Sequence, residues 1–308
     1  MNFPNIIFLY FTHFSLQDVY SHLHTLSFPK DCVFIPLNHE DTNEIKNITP
    51  SNCLLLTDAD FFLSEIPAFI LSNMKVAHTY SSCKLPVPTL GIFNPETLPP
   101  LSTDFSKIPY IFETINGITI ENISFVFCRF HQIPISILQT EQLLLREWGI
   151  QDEKAFFELY KSFPKSDRLA CPVRSQEETL PFLSSYIHGA YEFYGHGLWA
   201  AIEKATQQII GQCGIEYKER DGIARYELQY MISPKFQQKG FAFEISKAVC
   251  HYAIETLCIS ELYALIHPHN IRSKKLIEKL GFHLSGTQRI DNNSFLLYKI
   301  CFPNHFSL

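Results

Sequence analysis

No Cys-x-x-Cys pair occurs in this sequence, although it carries nine cysteines. An odd, dispersed set of that kind excludes a disulfide framework and reads as reduced thiols in a cytoplasmic protein. No apolar run approaches the roughly 20 residues needed to cross a bilayer, so no membrane span is expected. Long blocks of one charge sign are missing too, and the formal net charge is −6. Neither nucleic acid nor a membrane surface is therefore expected as a partner. The opening "MNFPNIIFLYF" is apolar but lacks a basic leader and a small-residue cleavage site, so it does not read as a signal peptide. No His-Glu-x-x-His motif or Cys/His cluster supports a metal, and none is expected. Internal repeats and low-complexity tracts are absent as well.

What is present is a large apolar fraction, 46% of 308 residues. That is ample for a sizeable core and suggests two domains. The first, over 1–136, alternates short apolar runs with helical patterns. "NIIFLYF", "CVFIPL" and "CLLLTDAD" read as buried strands, and "KVAHTY" and "TLGIF" as shorter ones. "SLQDVYSHLHTL" places Leu16, Val19, Tyr20 and Leu23 on one helical face. "FFLSEIPAFILSNM" and "IENISFVFCRFHQI" read as further helices. Alternation of this kind predicts a small parallel, Rossmann-like layer. Its one chemical-looking feature is "TDAD". Asp58 and Asp60 at a strand end are either Mg²⁺ ligands or helix caps.

Pro134 marks a linker, and the rhythm changes over 137–308. Thr140 is expected to open a strand. "QDEKAFFELYK" and "SQEETLPFLSSYIHGAYEFYG" read as helices, the second with a capping box from Ser175 to Glu178. Three strands follow, "LWAAIEK", "QIIGQCGIEY" and "ARYELQYMIS", the last two antiparallel across "KERDG". Next comes "SPKFQQKGFAFE", where Gly240 and Lys239 sit at a helix start. The helix carries Ile245, Ala248, Val249, Tyr252, Ala253 and Leu257 on one face. "ELYALIH" is a strand, "NIRSKKLIEKLGF" a helix capped by Asn270 and stopped by Gly281, and "FHLSGTQRIDNNSFLLYKI" a hairpin.

Helix N-termini expose unpaired N–H groups and a partial positive charge, so the Gly240 loop reads either as a plain turn or as an anion cradle. The order of elements around it, with Gln237-Gln238-Lys239-Gly240-Phe241-Ala242 and N-x-x-S-x-x-L-x-x-x-x-G-F, resembles the GNAT superfamily of acyl-CoA-dependent N-acyltransferases. "TEQLLLREW" is similar to the branch that contains ribosomal-protein N-terminal acetyltransferases. The resemblance covers Leu138 to Ile300. It implies a mixed-sheet acetyltransferase domain using acetyl-CoA, in a chain similar to bacterial fusions whose front segment is a degenerate dehalogenase-like, Rossmannoid domain without activity.

Residue by residue, the resemblance implies that backbone groups of Tyr230, Met231 and Ile232 pair with the pantetheine arm. N–H groups from Gln238, Lys239, Gly240, Phe241, Ala242 and Phe243 hold the pyrophosphate. Asn270 lies beside the cofactor or caps its helix. Lys239, Arg272 and Lys274 meet phosphates or solvent. Glu227 is the general base for the amine or an exposed strand carboxylate, and the N–H near Met231 is the oxyanion donor. Many relatives carry a proton-donating Tyr where this chain has Ile277. Ser273 is the nearest replacement by motif. "FYGHGLW" is a turn or part of the acceptor wall. His267 is core or cofactor-adjacent, and Cys213 and Cys250 are core. The acceptor is a small-molecule amine or a peptide or protein N-terminus, and the oligomeric state is left open. The alternatives are an acyl-CoA sensor without turnover and a Mg²⁺-dependent phosphatase in the front domain.

Overall fold

The computed structural model describes residues 4, 6–10, 16–30, 32–36, 53–57, 89–92, 111–112, 115–163, 175–290 and 293–302. They fall into two compact units, Met1–Ile133 and Pro134–Leu308. Asp58, Asp60, "FFLSEIPAFILSNM" and "KVAHTY" lie outside the described residues.

The first unit contains strands β1 (Ile6–Tyr10), β2 (Val33–Pro36), β3 (Cys53–Thr57), β4 (Thr89–Ile92) and β5 (Ile111–Phe112). They form one sheet in the order β2-β1-β3-β4-β5, with every pairing parallel. Helices α1 (Leu16–Leu23) and α2 (Ile120–Phe130) accompany it. Ile7, Leu9, Leu54 and Leu56 alternate along β1 and β3 into a core shared with Val19, Leu23, Ile123 and Phe127. Period-two strands thus meet period-3.6 helices on a common apolar surface. Helix α2 starts at a capping box. Thr119 Oγ1 accepts from Asn122 N–H at 3.2 Å, and Asn122 Oδ1 from Thr119 N–H at 2.9 Å. Two N-terminal donors are met reciprocally.

The second unit is built on eight strands: β6 (Ser136–Gln139), β7 (Leu143–Arg146), β8 (Leu198–Glu203), β9 (Gln208–Arg220), β10 (Ile223–Ile232), β11 (Glu261–Ile266), β12 (His283–Ile290) and β13 (Asn293–Cys301). Their order is β12-β13-β11-β10-β9-β8-β7-β6. All neighbours are antiparallel except β10 and β11. Helices α3 (Glu153–Lys161), α4 (Thr179–Tyr186), α5 (Phe241–Glu255) and α6 (Ile271–Lys279) complete it.

Antiparallel partners share a face, so the register sorts the central side chains. Trp199, Cys213 and Tyr230 belong to one face. There α5 packs, with Cys213 Sγ 3.7 Å from Ser246 Oγ and the Trp199 and Tyr252 rings 5.4 Å apart. Gln212, Glu216, Glu227 and Gln229 belong to the other face, which meets α3 through Tyr160 and α4 through Tyr186. On α5, Ile245, Val249 and Ala253 are fully buried, as the helical spacing predicts.

Three local expectations are corrected. Thr140 does not open a strand. It sits in the β6–β7 turn, where its Oγ1 accepts from Leu143 N–H at 3.0 Å. The Ser175–Glu178 capping box does not form. Helix α4 begins at Thr179 with no side-chain cap, and Thr179 Oγ1 donates to the Ser175 carbonyl at 3.1 Å. The single long helix expected there is an α-helix that widens into a π-helix over Ile187–Phe193. Gly189, Gly195 and a short cluster of aromatics offer no periodicity strong enough to signal that change of pitch.

Candidate functional site

Strands β10 and β11 are paired at one position, Glu227 with Tyr263. This is the shortest ladder in the sheet, and β10 continues beyond it to Ile232. A wedge therefore opens between two parallel strands at their carboxyl ends, the place where α/β sheets offer backbone groups to ligands. Ser233 N–H donates to the Ile210 carbonyl at 2.8 Å. A Cβ on Gly211 would lie 2.2 Å from the Met231 carbonyl oxygen. Both facts turn Ser233 and Met231 toward β9, so antiparallel alternation leaves the backbone groups of Tyr230 and Ile232 toward the β11 side. This corrects the expectation for Met231, whose backbone belongs to the β9 ladder. The Ile232 carbonyl is also engaged, accepting Gln237 Nε2 at 2.9 Å.

The wedge opens onto the loop that precedes α5. A short 3₁₀ turn, Pro234–Phe236, is followed by Gln238 at φ +64° and Gly240 at φ +88°. Gly240 is the N-cap. A Cβ there would meet nothing within 4 Å. The glycine is thus demanded by the left-handed backbone, not by crowding from the protein. Among the described residues, the N–H groups of Gln238, Lys239, Gly240, Phe241 and Ala242 have no protein acceptor. Phe243 differs from its expected role, because its N–H already donates to the Gly240 carbonyl at 3.1 Å. Five N–H groups without a protein acceptor thus sit beside one helix start, an arrangement able to take an anion.

Cations border this loop. Lys239 Nζ lies 5.2 Å from the centre of the Phe236 ring and 5.9 Å from that of Phe241. Arg272 Nη1 donates to Gln237 Oε1 at 3.1 Å. Gln237 thereby links the end of β10 to the first turn of α6. Asn270 Oδ1 accepts from Ser273 N–H at 3.0 Å and is the cap of α6. Only its NH₂ group stays available as a donor. The Ser273 carbonyl accepts the Tyr230 hydroxyl at 3.3 Å. Burial pushes the Tyr230 phenol up to about 12. Ile277 is fully buried in the core and offers no proton.

Glu227 is not an exposed strand carboxylate. It is 3% exposed and held bidentately by Arg220, Nε to Oε1 at 3.1 Å and Nη2 to Oε2 at 3.2 Å. Directly opposite it in the register stands Glu216. That carboxylate accepts Tyr186 Oη at 3.1 Å and Gln229 Nε2 at 2.7 Å, and pairs with Lys218 at 3.1 Å. Two carboxylates and two cations thus share one half-covered face. Sequence reasoning selected Glu227 but missed Arg220, although a hairpin of this length brings such positions together.

That face floors a cavity of about 280 Å³. Its aromatic wall comes from Trp148, Phe156, Tyr160, Phe182 and Tyr186, and Gln212, Glu216, Arg220 and Gln229 lie on the sheet side. A second space of about 270 Å³ shares Phe182, Tyr186, Glu216 and Lys218 with it. Tyr194, His196 and Gly197 of "FYGHGLW" line this second space. The other candidates stay apart from this chemistry. His267 is half-buried against Phe295, and Lys274 is half-buried on α6. Burial pushes the Cys213 thiol up and that of Cys250 up to about 12, so neither is a thiolate nucleophile. Among the described residues no group of three His, Cys, Asp or Glu could hold a metal ion, and no helix is long and apolar enough to cross a membrane.

Residues 142–283 match the family described as Acetyltransferase (GNAT) domain. The second unit is a GNAT acetyltransferase domain. YoaA of Bacillus subtilis strain 168, an uncharacterized N-acetyltransferase, is 27% identical over 157 residues, covering 50% of this chain and 86% of YoaA. The [ribosomal protein uS5]-alanine N-acetyltransferase of Escherichia coli K12 is 29% identical over 164 residues, 50% of this chain and 81% of that enzyme. Among solved structures, an acetyltransferase of Agrobacterium tumefaciens is 27% identical with a TM-score of 0.46, covering 54% of this chain and 95% of that one. The chain is an N-acetyltransferase. No part of the GNAT match extends into the first unit.

Proposed function

We propose that the GNAT domain moves an acetyl group from acetyl-CoA to a primary amine by direct attack within a ternary complex. The observation that carries this is the β10–β11 wedge opening onto five acceptor-free N–H groups at the start of α5. Bound acetyl-CoA supplies an acetyl thioester, already activated toward amines. Tyr230 and Ile232 offer strand-like backbone groups to an extended amide-bearing arm. Gln238 to Ala242 offer N–H groups to the pyrophosphate, with Lys239 and Arg272 as nearby cations. With Met231 committed to β9, the Tyr230 and Ile232 N–H groups are the donors for the thioester oxygen.

Glu227 takes the proton from the attacking amine. Arg220 occupies one lone-pair site on each of its oxygens, and the second site on each stays open to a proton. Arg220 is thus a positioning residue that fixes the carboxylate plane. The departing sulfur needs little help, since a thiol's ordinary pKa is about 8.5. Ser273 is retained as a minor donor. The acceptor is a small-molecule amine or a peptide or protein N-terminus; the Escherichia coli relative is named for an alanine of ribosomal protein uS5. The first unit is read as a Rossmann-like, dehalogenase-like domain without catalysis, and the parallel β2-β1-β3-β4-β5 order accords with the Rossmann-like layer alone. Free thiols at Cys213, Cys250, Cys258 and Cys301 accord with a reducing cytoplasm.

The test is thiol release from acetyl-CoA by the purified full chain across a panel of amines. Release that depends on the amine and falls sharply in Glu227→Gln supports the reading. Tight acetyl-CoA binding with no release for any amine leaves the sensor alternative, which the buried Ile277 favours.

A further inference from the structure

The β9–β10 hairpin outruns its neighbour β8. The pairing of β8 with β9 begins at Leu198 and Gly214, whereas β9 continues to Arg220. Beyond Gly214 the β8 side of β9 is therefore a sheet edge. Ser233 N–H bonds the Ile210 carbonyl, which turns the even-numbered backbone groups of β9 toward β10 and the odd-numbered ones toward this edge. Ile215 obeys that rule. Its N–H donates to the Gly197 carbonyl at 3.1 Å, and its carbonyl meets His196 Nδ1 at 2.9 Å. Tyr217 and Glu219 come next. Among the described residues their backbone N–H and carbonyl groups have no protein partner.

Sheet edges are usually blunted by charge, proline or a bulge, because they pair readily with other chains. This one is bordered by aromatic rings. Phe193 is 78% exposed, Tyr194 52% and Tyr217 39%. Phe193 and Tyr194 lie edge to face at 4.9 Å, Tyr194 stacks beside Tyr217 at 5.9 Å, and Tyr217 meets Tyr226 at 5.4 Å. A contiguous exposed apolar patch of this kind marks an interaction surface. The register puts Tyr217 and Tyr226 on the sheet face opposite that of Glu216 and Glu227, so the patch lies apart from the catalytic carboxylate. Across from the edge, Gly189 and Ala190 of the π-helix leave an open space of about 270 Å³.

Charge narrows the occupant. Glu219 is exposed on the Tyr217 face, and the nearby cations are taken: Lys218 by Glu216 and Arg220 by Glu227, both at 3.1 Å. Exposed tyrosine rings beside an unpaired carboxylate favour arginine or lysine. A second copy of this chain is a poor match. Two-fold pairing through residue 218 sets the two Lys218 side chains against each other, and pairing through residue 219 does the same to the two Glu219 carboxylates. Pairing through Tyr217 would need the backbone of Ile215, which is already bonded.

We infer that this edge is a docking site for an extended segment of a partner protein. The segment adds antiparallel to β9, with arginine or lysine side chains over Tyr194, Tyr217 and Glu219. The inference stands independently of the acetyltransferase reading.

The probe is acetyl-Thr-Arg-Thr-Arg-Thr-amide, which has no amine to acetylate. Its two arginines share one face. Antiparallel partners share a face too, so the arginine N–H groups are those that bond Tyr217 and Glu219. Binding to the full chain is read by calorimetry. Methylating the backbone nitrogens of both arginines should weaken binding about tenfold or more, whereas methylating those of the threonines should leave it within about twofold. Glu219→Lys and Tyr217→Thr, the second keeping a strand-forming residue, should each weaken the unmethylated peptide about fivefold. No binding at about 1 mM peptide overturns the inference. So do equal effects of the two methylations, an effect confined to the threonine set, or parental affinity in both variants. Self-association of the full chain that Glu219→Lys abolishes would assign the edge to a second copy and overturn it as well. Thiol release from acetyl-CoA is measured separately, so a peptide that fails to bind leaves the acetyltransferase reading intact.

Discussion

Gly240 offers the sharpest test of the donor site, because its requirement is conformational alone. At φ +88°, a Cβ meets no atom within 4 Å. Gly240→Ala therefore adds no clash, only the left-handed penalty of about 1–2 kcal/mol. Gln238, Lys239 and Gly240 are exposed, so the free loop can relax away from the strained conformation. The penalty then falls on acetyl-CoA binding, which must restore the converging N–H groups, and Kd should rise about 5- to 30-fold. Gly222→Ala is the internal control. Gly222 has φ +73°, equally open space and a place in the β9–β10 turn beside Asp221 at φ +52°. The same backbone penalty there should lower the unfolding midpoint while leaving acetyl-CoA affinity within about twofold. Gly240→Asp adds a negative charge where phosphates would sit and should weaken binding beyond the alanine variant. Calorimetric titration and urea denaturation of the four proteins give both readouts. Parental affinity in both Gly240 variants would refute the cradle, whatever the change in stability.

Glu227→Gln keeps size but cannot accept the amine proton, and it turns an NH₂ donor toward one of the two Arg220 donors, so kcat/KM should fall by at least about 10²-fold with acetyl-CoA affinity nearly unchanged. Ser273→Ala should lose less than about 10-fold; the opposite ranking, read from pH profiles of the two variants, would move the catalytic weight to the leaving group. Glu244 ties α5 to the β6–β7 turn, taking Gln142 N–H at 2.9 Å and Gln142 Nε2 at 2.7 Å. Burial raises its pKa, but hydrogen bonds from Thr140 and Gln142 and the charge of Lys204 outweigh it and hold the carboxyl below its ordinary value. Its stabilisation is present above about pH 4.3 and lost as pH falls through the depressed folded value. Glu244→Gln should therefore lower Tm at pH 7, with the gap to the parent closing in acid; a gap that widens below pH 4 contradicts the linkage. Finally, among the described residues the two hydrophobic cores share no member, so a chain beginning at Pro134 should fold and bind acetyl-CoA, and a folded fragment without binding would assign part of the site to the first unit.

Much of this protein was legible as local pattern. Helix α5, the cap and stop of α6, the β9–β10 hairpin and the β12–β13 pair all follow from periodicity and turn chemistry within a few residues. Gly240 was legible for the same reason, since a left-handed N-cap is written in one residue. Its reason was only half legible: the open space in front of it is a property of the folded loop. Other features depend on register, which pairs residues far apart and whose parity inverts with a one-residue slip. That parity turns the Met231 backbone to β9 and leaves Tyr230 and Ile232 at the wedge. Hairpin register likewise lets Arg220 reach Glu227, converting an apparently exposed carboxylate into a buried, clamped one. Thr140 and Ser175 were misread because a hydroxyl can serve a turn, a strand or a cap, and only its neighbours in space decide which. The open edge at Tyr217 and Glu219 was out of reach of any sequence argument. Whether a strand has a neighbour on both sides is settled by where the β8–β9 pairing ends, and no local spacing encodes it.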